Sequence, residues 1–313
     1  EDVTSGFNGL DFRIGGSSNL NVTLDNVDLT TVGRGAADSG TINFTNGPNA
    51  FGILLATVQN SSITGSNRQG IGVNLAGAGS TVGSTFVFHN NVINDVGRST
   101  VSVQVGDSLN SNVTLTNNQI GNLSPVGDDQ GGASDRDVIE LRTFGAGANV
   151  MTALLQNNLF QNTDGTTGGD EVLDVSAEDG DTLNITILGN TFTQNGSGNS
   201  IDIAPLTGGI VNLDMNSANV GANVNVFSGT GGAFSVINLV HGSGVFAVEF
   251  DPLDGVVNGA GPFTDTQIET FIDARNPTGT PNTPSNADNF TGVASVAVPL
   301  LFTPPPVAPT TGT

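Results

Sequence analysis

The 313-residue chain contains no cysteine, tryptophan, tyrosine or lysine, and all seven of its basic residues are arginine. Without cysteine there is no disulfide framework and no thiol chemistry. Without lysine there is no Schiff base to a lysine amine and no lysine–asparagine isopeptide crosslink. The missing tryptophan and tyrosine remove the aromatic platforms that sugar-binding clefts commonly use.

Positive charge is scarce, because 29 acidic residues give a formal net charge of -22. Phosphate groups are bound by basic clusters, so we expect no nucleic-acid partner. No apolar run approaches the roughly 20 residues of a membrane span. The acidic balance and the abundance of Gly, Asn, Thr and Ser are typical of bacterial surface and secreted proteins. We therefore expect an extracellular or cell-surface location reached by bacterial-type secretion.

What the chain does contain is a repeat of about 30 residues. One column has the pattern apolar-x-Asn, and its asparagines are Asn26, Asn60, Asn90, Asn117, Asn157 and Asn190. A second column is apolar-polar-apolar, and its central residues are Asp11, Asn43, Asn74, Gln104, Glu140, Asp174 and Asp202. The two columns stay in phase along the chain, which indicates a solenoid of repeated units.

Each repeat carries short alternating segments rich in Val, Ile, Thr, Leu and Phe, bounded by Gly, Asn, Ser or Asp, which is the signature of strands. The sequence therefore predicts an all-β fold, a right-handed parallel β-helix of about 7–8 coils; antiparallel sandwiches are the alternative. At a corner of each coil the first-column asparagines would tolerate left-handed backbone and stack into an amide ladder. A structural role for that column is favoured over a binding role.

The coil period, the Asn column and the alternating strands resemble the right-handed parallel β-helix (pectin-lyase-like) superfamily over about residues 10–250. In character the chain is most similar to bacterial surface and secreted β-helix proteins. The superfamily includes polysaccharide lyases, glycoside hydrolases, phage tailspikes, autotransporter passengers and adhesins, so the resemblance implies the fold and leaves the activity open. The polygalacturonase-like motifs fail here, because "DD" (128–129) precedes "NTD" (162–164) and no Arg-x-Lys exists.

The candidate chemistry lies in the second column. Glu140, Asp174 and Asp202 should face outward on three successive coils, with Arg142 on the same face. Carboxyls about 5 Å apart are compatible with glycoside hydrolysis. If the chain is an enzyme, these four residues are its candidate catalytic groups.

Two acidic turns, 127–137 and 163–171, precede neighbouring strands of this column. Hard oxygen ligands such as carboxylates are what Ca²⁺ prefers. The candidate calcium ligands are Asp128, Asp129, Asp135, Asp137, Asp164, Asp170 and Glu171. A solvated acidic face with arginine counter-ions is the competing interpretation, and we expect no required cofactor.

The chain divides into a β-helix over 1–250, a C-terminal cap over 251–302 and a Pro/Thr-rich tail or linker over 303–313. Within the cap, Thr264 and Gln267 form a capping-box pattern, which predicts a helix at about 265–275. A terminal strand follows, and its segment 293–302 is a candidate donor to the open first coil. We therefore expect a homo-oligomer, or contacts with neighbouring domains, through open solenoid ends.

The leading functional hypothesis is a structural, non-enzymatic cell-surface β-helix that assembles into a fibre or layer or belongs to a longer adhesin-like protein. The alternative is a β-helix that binds or cleaves a polysaccharide through its acidic face.

Overall fold

The structure, a computed structural model, describes residues 9–30, 40–47, 50–66, 69–75, 82–96, 99–106, 110–122, 137–145, 148–162, 171–196, 198–229, 236–240, 244–249, 264–276 and 289–291. The strands in these ranges form three parallel sheets, here called A, B and C.

Sheet A contains, in spatial order, β1 (Leu10–Ile14), β4 (Ile42–Asn46), β7 (Ile71–Leu75), β10 (Val101–Gly106), β13 (Ile139–Phe144), β16 (Leu173–Ala177), β19 (Ile201–Pro205), β22 (Ile237–Val240) and β24 (Asn289–Thr291). Sheet B contains β2 (Leu20–Asp25), β5 (Leu54–Gln59), β8 (Val82–His89), β11 (Asn110–Thr116), β14 (Val150–Gln156), β17 (Thr182–Leu188), β20 (Ile210–Asp214) and β23 (Val245–Val248). Sheet C contains β3 (Asp28–Thr30), β6 (Ser62–Ser66), β9 (Val92–Val96), β12 (Gln119–Asn122), β15 (Leu159–Asn162), β18 (Thr191–Gln194) and β21 (Val226–Ser228). A short 3-10 turn spans Gly221–Asn223, and one helix, α1, spans Asp265–Arg275.

Consecutive strands along the chain enter sheets A, B and C in turn, and each pairs in parallel with the strand one coil away. Seven coils contribute a strand to all three sheets, and β22, β23 and β24 extend the stack. The prediction of a parallel β-helix with a short C-terminal helix is therefore confirmed.

The core lies inside the coils, because alternate residues of each strand point inward. In β13 and β14, for example, every second side chain is buried. Phenylalanines stack along the axis in two places: Phe12, Phe44 and Phe86 with ring centroids 5.3 and 6.0 Å apart, and Phe160, Phe192 and Phe227 with centroids 5.4 and 5.2 Å apart. One apolar cluster runs from the first coil to the helix, so the coils share a single continuous core.

A buried asparagine ladder runs beside this core at the corner between sheets B and C. Its members are Asn91, Asn118, Asn158, Asn190, Asn225 and Asn276. Asn118 illustrates the pattern, since its backbone N–H and its Nδ2 both donate to Oδ1 of Asn158 at 2.9 Å. Its second amide hydrogen goes to the carbonyl oxygen of Phe88 at 2.9 Å, and its Oδ1 accepts two bonds from Asn91. Each inner rung thus satisfies all its polar atoms while buried.

The buried ladder lies one residue beyond the predicted asparagines, although among those the Asn90 amide does donate to Oδ1 of Asn60 at 2.8 Å. Asn26, Asn60, Asn90, Asn117 and Asn157 occupy the left-handed region, with φ between 51° and 56°, and their side chains lie at or near the surface. Asn190 is the exception among the predicted six, because Gly189 takes the left-handed position on its coil, with φ of 65°. The two members of each pair have different roles in Asn90–Asn91, Asn117–Asn118 and Asn157–Asn158. The first asparagine of a pair turns the chain, and the second forms the ladder.

Helix α1 closes the C-terminal end of the ladder. Its N-terminus has the predicted capping box between Thr264 and Gln267. Ile268, Phe271 and Ile272 are buried in the common core. Asn276, the C-cap residue, accepts a 2.8 Å bond from the Asn225 amide and donates to the carbonyl oxygen of Met215 at 2.9 Å. The helix therefore supplies the last rung in place of another coil.

Candidate functional site

Three carboxylates predicted to stack do lie at matching positions on adjacent strands of sheet A. Glu140 on β13 is opposite Asp174 on β16, and Asp174 is opposite Asp202 on β19. Each is flanked by buried residues and is itself half-buried on the outer face of the sheet. Parallel neighbours are about 4.8 Å apart, so the three backbones hold an acidic column, here called the carboxyl column.

The rest of the predicted polar column shifts register. Asn43 lies opposite Gly72, and Glu140 lies opposite Ser102, whereas Asn74 and Gln104 occupy the next outward position along their strands. Each strand has two outward-facing positions, two residues apart. The sequence spacing alone does not determine which of the two a polar residue occupies. A Cβ on Gly72 would lie 2.8 Å from the Asn43 Oδ1 and from the Gln69 Oε1, so a side chain at this position would require these two amide groups to move.

Glu140 is engaged by the preceding coil. The Ser102 hydroxyl donates to its Oε2 at 2.7 Å, and the Gln104 amide donates to its Oε1 at 2.8 Å. Both carboxylate oxygens therefore have neutral partners that hold the side chain on the outer face of sheet A.

Arg142 does lie on the face of Glu140, but its ion pair is with a different carboxylate. Its Nη2 is 3.0 Å from Oε1 and 3.1 Å from Oε2 of Glu178. The guanidinium also lies over the ring of Phe144, 5.5 Å from its centroid. The arginine is thus directed away from the carboxyl column and towards the turn after β16.

Two further carboxyls, Asp137 and Glu171, lie at the start of the strands that carry Glu140 and Asp174. Asp137 is only 5 % exposed, and its Oδ1 accepts the backbone N–H of Glu171 at 3.0 Å. The two carboxyl groups are close enough for each to shift the pKa of the other. Burial and like charge both disfavour ionisation, so this pair keeps a proton to higher pH than isolated carboxyls do.

Burial, together with the nearby charge of Glu171, raises the pKa of Asp137 to about 9. Burial also raises the pKa of Glu171 to about 7, with the charges of Asp202 and Asp174 acting in the same direction. In Asp202, burial raises the pKa although the amides of Asn238 and Asn199 donate to its Oδ2 at 2.9 and 3.1 Å. Desolvation is therefore the dominant electrostatic influence on this face.

The calcium hypothesis rests mainly on residues outside the described ranges. Asp128, Asp129, Asp135, Asp164 and Asp170 lie there, whereas Asp137 and Glu171 are described. Within the described part of the chain, no three His, Cys, Asp or Glu side chains are grouped so that they could hold a metal ion. The Asp137 carboxylate instead accepts the backbone N–H of Glu171.

Several residues of this face were not predicted from the sequence. Ser102, Asn199, Asn238 and Glu178 contact the predicted residues from neighbouring coils or turns. Aligning the coils would have predicted the partners of Glu140 and Asp202 on neighbouring coils. A polar residue at the same outward position one coil away is a candidate partner. The Arg142–Glu178 pair depends on how the turn after β16 folds back.

Comparison with protein-family models, with curated proteins and with solved structures finds no match to this chain. In the ranges that the structure describes, no helix is both long enough and apolar enough to cross a membrane.

Proposed function

We propose that this chain is a structural protein of the cell surface or extracellular space, a β-helical rod that assembles through its open first coil. The observation that carries the proposal is the contrast between the two ends. At the C-terminal end, where β24, β23 and β21 are the outermost strands, α1 packs into the core and supplies Asn276 as the last rung of the ladder, whereas no helix in the described part of the chain packs beside the edge strands β1, β2 and β3.

The open end exposes part of the core. Leu10, Phe12, Leu20, Leu24 and Val27 pack against the core but are only partly buried, unlike the fully buried inward residues of later coils. Unpaired backbone and exposed apolar surface at a solenoid end favour pairing with another chain. The acidic surface, the absence of cysteine and the asparagine-rich coils support an extracellular location.

The side chains of the acidic face support a structural role over catalysis. Glu140 is held by Ser102 and Gln104, and Arg142 is paired with Glu178. The Arg142 guanidinium therefore does not point at the carboxyl column. A lyase-like mechanism would need this arginine there as its base.

A polysaccharide-cleaving function is the second candidate, and one observation favours it. Burial raises the pKa of Glu171 to about 7, and Asp174 is close enough for its charge to act on Glu171. Glycoside hydrolysis uses such a pair, one as acid and the other as nucleophile or base.

Assays on purified protein separate the two candidates. We expect no release of reducing ends and no unsaturated products from acidic or neutral polysaccharides, and electron microscopy should show assembled rods, filaments or layers. Glu140→Gln and Asp174→Asn should leave that assembly unchanged. Cleavage by the wild type that is lost in Asp174→Asn would overturn the structural proposal in favour of the enzyme.

A further inference from the structure

The edge strand β1 is self-complementary, and this feature points to a specific partner. Its sequence is LDFRI, with Asp11 and Arg13 on either side of Phe12. Both charged side chains are exposed, and within the described part of the chain neither forms an ion pair. We propose that the first coil binds the first coil of a second copy of this chain, related by a twofold axis through Phe12.

Backbone geometry supports this register. The N–H of Leu10 donates to Thr41, and the carbonyl oxygen of Ile14 accepts from Gly47, both on the second coil. In a parallel pair, alternate residues direct both backbone groups to one neighbour. Leu10, Phe12 and Ile14 thus bond inward along the stack, and Asp11 and Arg13 direct their N–H and C=O groups to the open edge.

An antiparallel partner centred on Phe12 places Asp11 opposite Arg13 of the second copy, and Arg13 opposite its Asp11. Both are hydrogen-bonded pairs in the antiparallel pattern, because these are the residues with free backbone groups. This pairing places Asp11 of each copy beside Arg13 of the other, so the interface contains two equivalent acid–base pairs. An isologous interface has this symmetry. The charge complementarity offsets local repulsion between two chains of net charge -22.

The apolar side of β1 matches as well. Phe12 already stacks on Phe44 with ring centroids 5.3 Å apart, and Phe44 is followed by Phe86. Residues directly opposite in a non-hydrogen-bonded antiparallel pair approach closely, so Phe12 meets Phe12 of the second copy. The two aromatic stacks then join into one across the twofold axis. The same axis exchanges the other two sheets, so β2 of each copy faces β3 of its partner.

This inference rests on the proposed structural function and names its partner as a second copy of the chain. Light scattering of the full chain should give a mass twice the 31.6 kDa of one copy. Asp11→Arg places arginine opposite arginine, and Arg13→Asp places aspartate opposite aspartate, so each variant alone should be a monomer. Mixing the two variants should restore the dimer, and the double swap Asp11→Arg with Arg13→Asp should dimerise alone.

Glu269→Arg on α1 is the matched control, because it makes the charge change of Asp11→Arg at the opposite end of the rod. It should remain a dimer, and circular dichroism should show the same fold in all variants. A wild-type monomer, or a dimer that persists in both single variants, would overturn the inference. A dimer or filament that is unaffected by the charge swaps would still support a self-assembling structural protein. The experiment therefore distinguishes failure of this inference from failure of the proposed function.

Discussion

At the scale of single residues, the asparagine pairs at the corner show how adjacent identical side chains take different roles. Asn157 has φ of 56° and is exposed, whereas Asn158 is 2 % exposed and makes five ladder bonds. The apolar-x-Asn pattern predicted a ladder built by the first asparagine of each pair, whereas the second builds the buried one. Burial decides, because only the second side chain points into the stack.

Asn158→Ala should lower the free energy of unfolding by about 3 kcal/mol or more. It leaves the Asn118 amide and backbone N–H, and the Leu115 carbonyl oxygen, buried without their partner, at about 1–3 kcal/mol for each group. Asn157→Gly is the matched control, and should cost well under 1 kcal/mol, because glycine accepts the left-handed backbone. Urea denaturation measures both values, and similar losses would contradict the assignment of the ladder.

The Asp137–Glu171 pair makes stability depend on pH. The pKa of Asp137 is raised from 3.8 to about 9 and that of Glu171 from 4.5 to about 7. The unfolded state therefore releases these protons at lower pH, and their contribution to stability falls as the pH rises from about 4 to about 9.

Asp137→Asn should flatten this dependence and make the variant relatively more stable at alkaline pH, while its amide oxygen can still accept the Glu171 N–H. Denaturation of variant and wild type at several values between about pH 5 and about pH 9 gives the difference. Asp179→Asn, in an exposed turn, is the control and should follow the wild type. Parallel curves for wild type and Asp137→Asn would show that the pair does not hold the proton.

At the scale of elements, α1 replaces a coil. Its N-terminal capping box and its apolar residues were readable from the sequence, because caps and spacing are local signals. Its contribution of Asn276 to the ladder was not, since the partner Asn225 is 51 residues away and follows no repeat spacing. The predicted donor segment 293–302 lies outside the described residues, although β24 (Asn289–Thr291) does extend sheet A next to β22.

Asn276→Ala should loosen the C-terminal coils in preference to the first ones. The amide and N–H of Asn225 lose their acceptor, so hydrogen exchange should accelerate in β20 and β21 and change little in β2 and β5. Thr270→Ala, on the exposed side of the same helix, should leave the exchange pattern as it is. Uniform acceleration along the rod would mean that α1 does not act as a local cap.

At the scale of the whole molecule, the repeat period predicted the stack of coils, because a repeating unit of about 30 residues without helices has few other ways to bury its strands. Glu140, Asp174 and Asp202 do lie in register on adjacent strands, as the apolar-polar-apolar pattern predicted. It was misaligned at Asn74 and Gln104, where a shift of two residues keeps the same face outward. Side-chain partners across coils, such as Glu178 for Arg142, follow from turn geometry that the repeat does not specify.

Small-angle X-ray scattering measures most directly whether the rod assembles through its first coil. Nine stacked strands at about 4.8 Å make one rod about 40 Å long, before loops and tail are added. The maximum dimension of the wild type should exceed that of Asp11→Arg by about one such length, since only the wild type pairs end to end. Equal dimensions for the two proteins would contradict the account.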